Sequence, residues 1–264
     1  MLENTQKGAD PELFLRDEQL KKSIASTGLI GGTKESPRII GKGFALQEDN
    51  VAVEFNIPPC SNSKDFKAAI QHTLIHLRSE LTPRGLSLDI AASRVFDDDQ
   101  LLSPQAQEFG CEPDFNAWTG KMNPRPSAQT NLRSAGGHIH IGYSEPDEEV
   151  SRELIKAHDL FCGVPSIMYD DDIRRRSLYG KAGAYRLKSY GVEYRTLSNF
   201  WLRSSELVDM VYEQSERAIK FVKEGNRISL KDGREIVKCI NTGDMKLLAS
   251  IDTKFQVLKE FSLC

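Results

Sequence analysis

The sequence lacks any apolar run near the roughly 20 residues that a helix needs to span a bilayer, which excludes a helical membrane protein. The first residues, MLENTQKGAD, carry neither the basic nor the apolar region of a secretory signal, so a cytoplasmic location is expected. Cysteine is scarce and scattered. Cys60, Cys111, Cys162, Cys239 and Cys264 are odd in number and form no C-x-x-C pair, which argues against a disulfide framework and against a thiolate zinc site. No sign of charge dominates: 35 Lys and Arg against 38 Asp and Glu leave a net charge of -3, so no general attraction to nucleic acid or an anionic membrane is expected. Any anion site must be a local cluster. There is no G-x-x-x-x-G-K-[ST] stretch, and no G-x-G-x-x-G follows a strand, so neither phosphate-binding glycine loop is available.

What is present reads as one α+β domain without repeats or linkers. Strand-like stretches fall at 9–15 (ADPELFL), 41–47 (GKGFALQ), 49–57 (DNVAVEFNI), 86–96, 136–143 (GGHIHIGY) and 191–202 (GVEYRTLSNFWL). Helical periodicity with polar starts marks 63–81, 148–164 and 204–225, and the tail from about 231 predicts two short helices. Between 99 and 135 lies a loop-rich segment containing Phe115 and Trp118, and long loops in compact domains are often functional.

Strand side chains alternate faces. In GGHIHIGY, His138 and His140 therefore share one side while Ile139 and Ile141 face a core. The same alternation groups Asp10 with Glu12, Glu48 with Asn50, Glu54 and Asn56, and Glu193 with Arg195. If these strands share a sheet, its polar face gathers Asp10, Glu12, Glu48, Glu54 and Glu193 beside two imidazoles. Crowded carboxylates raise one another's pKa unless cations compensate, and hard divalent ions such as Mg2+ or Mn2+ suit this donor set.

A second cluster is basic. Residues 170–195 carry Arg174, Arg175, Arg176, Lys181, Arg186, Lys188 and Arg195 among glycines and tyrosines. The planar guanidinium matches phosphate oxygens, and Arg186 and Arg195, which flank or share the Glu193 strand, are the favoured phosphate ligands. The 174–176 run is expected to be mostly solvated. Carboxylates, divalent metal and arginines on one surface describe a nucleoside-triphosphate site.

These motifs resemble the glutamine synthetase and glutamate-cysteine ligase fold, and more closely the phage carboxylate-amine (COOH.NH2) ligase type 2 family. The resemblance runs over about 8–202, through GADPELFL, QEDNVAVEFNIPP, FGCEPDFNAW, SAGGHIHIGY and YGKAGAYRLKSYGVEYRTLSNFW. It implies an antiparallel sheet with a polar concave catalytic face and helices packed on the other face. The whole chain, 1–264, would be one amidoligase domain, helical from about 203, in the host cytoplasm if phage-encoded. It further implies ATP-dependent amide or peptide bond formation through an acyl phosphate, with small-molecule or peptide substrates and no nucleic-acid partner. Asp10, Glu12, Glu48, Glu54, His138 and Glu193 are the expected metal ligands. Arg195, Arg186 and Glu193 are the expected catalytic residues, and His140, Arg174, Arg176, Arg186 and Arg195 the expected nucleotide-binding residues. One departure from the family pattern falls at Gly191, where an arginine is usual, and Arg186 or the 174–176 run is expected to take its place.

Two rival functions use the same face: a metal-dependent phosphoesterase, and a catalytically silent nucleotide-binding phage protein. His72 and His76, four apart on a helix, are expected to be surface residues, and Cys111 an idle thiol. If residues 109–118 line the acceptor site, Trp118 belongs to substrate binding.

Overall fold

The computed structural model describes residues 2–107, 114–124 and 131–258. The chain begins with β1 (Gln6–Ala9), β2 (Glu12–Asp17), β3 (Lys22–Ile24), β4 (Arg38–Gly41), β5 (Phe44–Asp49) and β6 (Ala52–Asn56). Helix α1 (Ser63–Leu81) leads to β7 (Leu86–Asp89), β8 (Ser93–Val95), a single turn α2 (Pro104–Gln107), β9 (Phe115–Asn116), β10 (Lys121–Met122), β11 (Leu132–Ser134) and β12 (Ile139–Gly142). Then come α3 (Glu148–His158), α4 (Val164–Ser166), α5 (Ile173–Leu178), β13 (Ala184–Lys188), β14 (Gly191–Tyr194), α6 (Ser205–Lys223), α7 (Leu230–Thr242) and α8 (Met245–Phe255).

Among the described residues two six-stranded sheets carry the fold, every pairing in them antiparallel. One has the order β1-β12-β14-β13-β9-β10; the other has β3-β2-β6-β5-β4, with β7 added on β2. They meet where one stretch of chain changes sheets. Pro11 lacks an N–H, and β1 ends and β2 begins around Asp10 and Pro11. Backbone bonds bridge the seam: Glu12 N donates to Gly136 O (2.9 Å), Ile57 N to Ala9 O (3.2 Å) and Phe55 N to Pro11 O (3.3 Å).

The apolar faces of these strands are covered by helices whose starts are capped by polar side chains, Asn62 rather than the expected serine in the first case. The Asn62 side chain accepts from Asp65 N at the start of α1, and Ser204 accepts from Leu207 N at the start of α6. Helix α1 buries Phe66, Ile70, Leu74, Leu77 and Leu81 along one stripe, and Ile139, Ile141, Val192 and Tyr194 join the same core from the strands. Burying each such side chain contributes roughly 1.5–3 kcal/mol.

Several expected elements divide. The 41–47 stretch breaks at Lys42 and Gly43 between β4 and β5, and 86–96 yields β7 and β8. Beyond Tyr194 the chain leaves the sheet and forms a 3-10 turn over Asn199–Arg203. The expected helix 148–164 is α3 followed by a π turn at Asp159–Gly163. The two tail helices form as expected.

Candidate functional site

A cavity of about 450 Å³ opens at the seam between the sheets, and Asp10, Glu12, Glu54, His138, His140 and Arg195 all line it. Register explains much of the convergence. Glu12 lies directly across from Glu54, while His140 and Arg186 both lie across from Glu193. Asp10, at the change of sheet, reaches both histidines: its Oδ1 is 2.9 Å from His140 Nε2 and 3.4 Å from His138 Nδ1.

The donors form two sets, in each of which one ligand atom per residue lies within 4.8 Å of the others: Asp10, His140 and Glu193, and Glu12, Asp49 and Glu54. This division differs from the expected one at two places, His140 standing in for His138 beside Asp10 and Glu193, and Asp49 for Glu48 beside Glu12 and Glu54; the second difference has a local cause. β5 and β6 form a hairpin closed by Asn50, with φ of 55°, and Val51. Gln47 pairs with Glu54 and Asp49 with Ala52, so odd residues before the turn share a face with even residues after it. The expectation for Glu48 is therefore corrected. Its carboxylate turns away from the cavity and accepts from the backbone N–H groups of Gly28 (2.9 Å), Ile30 (2.8 Å) and Gly31 (2.7 Å). Gln47 and Asp49 line the cavity instead.

The electrostatics of the two sets are opposite. Burial pushes Glu54 well above the usual carboxylate range, aided by Asp10, Asp49 and Glu12, and Asp49 is raised to about 6 by burial and Glu12. For Glu193 burial also works against ionisation, but Arg195, then the two histidines, outweigh it and bring the carboxyl down to about 2. Three cations surround this fully buried group: Arg195 NH1 donates to Oε1, and Lys188 Nζ and Arg186 NH1 stand 3.0 and 3.5 Å from Oε2. Asp10 is likewise opposed by burial, yet the two imidazoles beside it, His140 first, hold it well below its usual range.

A divalent ion fits this donor set. Oxygen donors dominate, one imidazole joins them, and like charges crowd one another in the Glu12, Asp49 and Glu54 group. Asp10 Oδ1 and His140 Nε2 are buried and make no well-aligned hydrogen bond within the protein.

The glycines of GGHIHIGY answer a steric demand. Gly136 N donates to Glu12 Oε2 (2.7 Å), and a Cβ at Gly136 would fall 2.1 Å from His138 Nε2. At Gly137 it would fall 2.2 Å from Ser198 O. Gly191 is constrained in the same way, with φ of 149° and a Cβ position 2.0 Å from Ile141 O, so arginine does not fit there. The cations come from the next strand: Lys188 is across from Gly191 and Arg186 across from Glu193.

Other expected site residues lie elsewhere. Arg174 is exposed and pairs with Asp172, and Arg176 is buried with one guanidinium nitrogen 3.8 Å from Asp170 Oδ2; neither lines the cavity. The view of the 174–176 run as solvated fails at Arg175, which is 1% exposed and donates to the carbonyls of Ala135, Thr196 and Leu197. Trp118 is half-buried, donates from its indole nitrogen to Asp159 Oδ2 (2.6 Å), and lies against Gly183 and Gly233; it packs the segment rather than lining the cavity. Cys111 and residues 109–113 lie outside the described residues. His72 sits against the ring of Phe44 and His76 beside Glu80, away from the cavity. Sequence reasoning missed Asp49, Lys34 and Tyr190 and named Lys188 only within the basic cluster, yet all four line the cavity. Tyr190 bonds His140 Nδ1 through its hydroxyl and stacks on the imidazole with ring centres 5.8 Å apart.

An α+β chain with antiparallel sheets, holding two acidic donor sets and a cationic wall around one cavity, is thus the class defined by fold and site. The phage phiEco32-like COOH.NH2 ligase-type 2 family is the one whose model matches, over residues 126–255, and this bears out the resemblance read from the motifs. The matched region contains the histidine strand, the cationic strands and the last three helices; β1 to β6 precede it. No curated protein matches the chain. A solved structure titled "Apo GmaS without ligand" aligns with a TM-score of 0.42 and 11% identity, over 97% of this chain and 67% of that one.

Proposed function

We propose that the chain is an ATP-dependent ligase that joins a carboxylate to an amine through an acyl phosphate. The observation that carries this reading is the meeting of both carboxylate sets with Arg186, Lys188 and Arg195 around one cavity. The family name, carboxylate-amine ligase, agrees with it.

In this reading Asp10, His140 and Glu193 hold one Mg2+ or Mn2+, and Glu12, Asp49 and Glu54 hold a second. Bound there, the ions would neutralise phosphate charge. Arg195 and Arg186 present guanidinium groups to the transferred phosphoryl group, whose equatorial oxygens carry the charge as its bond loosens. Glu193 holds both guanidinium groups in place, and Arg195 NH1 also lies 3.4 Å from His138 Nδ1, fixing that ring. The substrate carboxylate attacks the γ-phosphorus of ATP, ADP leaves, and the amine then displaces phosphate from the acyl phosphate. The amine attacks in its neutral form, and the proton it gives up on forming the amide leaves with the phosphate.

The test is a phosphate-release screen of amino acids and short peptides with Mg-ATP, read by mass spectrometry. A product whose mass equals acid plus amine minus one water, formed with stoichiometric phosphate, is expected. Phosphate released equally from simple phosphate esters, without a condensed product, would indicate a phosphoesterase instead.

A further inference from the structure

The connection between β3 and β4 passes over the cavity, and Lys34 and Pro37 from it contribute to the lining. Its conformation is held unusually firmly for an exposed loop. Three consecutive features fasten it. The Glu48 carboxylate collects the N–H groups of Gly28, Ile30 and Gly31, and Glu48 N donates to Gly32 O at 3.1 Å. Gly32 has φ of 86° and packs so closely that a Cβ would stand 2.4 Å from Leu46 O. At the far end, Arg38 clamps Glu80 of α1 with two guanidinium bonds of 3.1 and 2.7 Å.

Between these anchors the chain makes one tight turn, with Thr33 N donating to Ser36 O (3.0 Å) and Ser36 N to Thr33 O (3.2 Å). Lys34 is the residue after Thr33 in that turn. Lys34 lines the cavity with Glu12, Asp49 and Glu54, and its ammonium charge acts on Asp49. Ordering a chain segment costs about 1–2 kcal/mol per residue, and the half-buried Glu48 carboxylate offsets part of that cost for this loop. The anchor is intelligible if the position of the turn matters.

We propose that Lys34 is a further binding residue, contacting an oxyanion of the bound substrate from the roof of the cavity, and that Glu48 is its positioning residue. The proposal rests on the ligase reading for the kind of substrate involved. Divalent ions on the carboxylates would recruit an anionic group into the cavity, whose lining cations are Lys34, Arg186, Lys188 and Arg195, and Lys34 is the one of these that a turn supplies. The oxyanion is a phosphate of the nucleotide or the carboxylate of the acid substrate; a point charge on a flexible stem serves either.

The experiment is calorimetric titration of the full chain with Mg-ATP, magnesium tripolyphosphate and glutarate, for wild type, Lys34→Ala, Lys34→Arg, Glu48→Gln and the Lys34→Ala/Glu48→Gln double variant. One charge-assisted contact of this kind corresponds to about a tenfold loss of affinity in Lys34→Ala, largely restored in Lys34→Arg. Loss for Mg-ATP and tripolyphosphate assigns the contact to phosphate; loss for glutarate alone assigns it to the acid carboxylate. Glu48→Gln should weaken binding in the wild-type background and add little to Lys34→Ala, a coupling that simple destabilisation would not produce. Persistence of the full Glu48→Gln effect in the double variant overturns the positioning role. If wild type binds Mg-ATP and Lys34→Ala leaves all three ligands unaffected, the Lys34 contact is wrong and the nucleotide reading stands. If tripolyphosphate binds in a Lys34-dependent way but ATP gains nothing over it, the nucleotide reading fails and Lys34 stands. Binding of none of the three by wild type overturns both.

Discussion

The three consecutive arginines show how little residue type alone says about role. Arg175 spends its guanidinium on three backbone carbonyls that join the strand end at Ala135 to the chain after β14. Leu197 O keeps Gly137 N as a donor at 2.9 Å, but Ala135 O and Thr196 O lose the Arg175 bond at roughly 1–3 kcal/mol each, so Arg175→Ala should lower unfolding stability by several kcal/mol in urea titration. Arg174→Ala, which breaks an exposed pair, should cost less than about 1 kcal/mol. Equal effects would contradict this assignment. Nothing in the RRR run distinguishes the buried Arg175 and Arg176 from the exposed Arg174, because a six-residue helix has too little periodicity to mark a face. Asp159 is a second case. It is fully buried and accepts from Trp118, Tyr194 and Thr196, yet burial outweighs these donors and raises its pKa to about 7. A carboxyl whose pKa is raised by folding stabilises the protein below its unfolded value, near 4, and loses that contribution as pH rises through 7. The melting temperature of wild type minus that of Asp159→Asn should therefore be larger at pH 5 than at pH 8. A difference independent of pH would show that Asp159 ionises normally.

At the scale of elements, the β5–β6 hairpin decides which carboxylates meet. In nucleotide-free titrations, Asp49→Asn should weaken Mg2+ binding by at least tenfold, whereas Glu48→Gln, whose carboxylate faces the loop amides, should leave it nearly unchanged. The reverse order would mean that the hairpin register is wrong. Alternation within a strand was enough to bring Asp10, Glu12, Glu54, His138, His140, Glu193 and Arg195 together, because each stays inside one strand or at its end. It failed across the Asn50 and Val51 turn, where treating 48–57 as continuous shifts the parity by one residue. Lys34 and Tyr190 were invisible for a different reason. They sit in a turn and a strand connection, whose side-chain directions depend on tertiary packing and carry no period. Lys188 could have been found, since it alternates with Arg186 on β13.

At the scale of the molecule, the site exists only because the two sheets share the Asp10 and Pro11 crossing. Asp10, His140 and Glu193 depend on the sheet of β1, β12 and β14, while Glu12, Asp49 and Glu54 depend on the hairpin sheet and on one shared stretch of chain. The mixed fold was readable from alternation and capping signals and the antiparallel sheet came from the family resemblance, but the seam was not readable, since strand order across sheets leaves no local trace in sequence. Two donor sets on one cavity make a countable claim. Mn2+ binding followed by electron paramagnetic resonance, at saturating non-hydrolysable ATP analogue, should give two ions per chain for wild type and one for Asp49→Asn. No nucleotide-dependent Mn2+ binding in the wild-type chain would contradict the account.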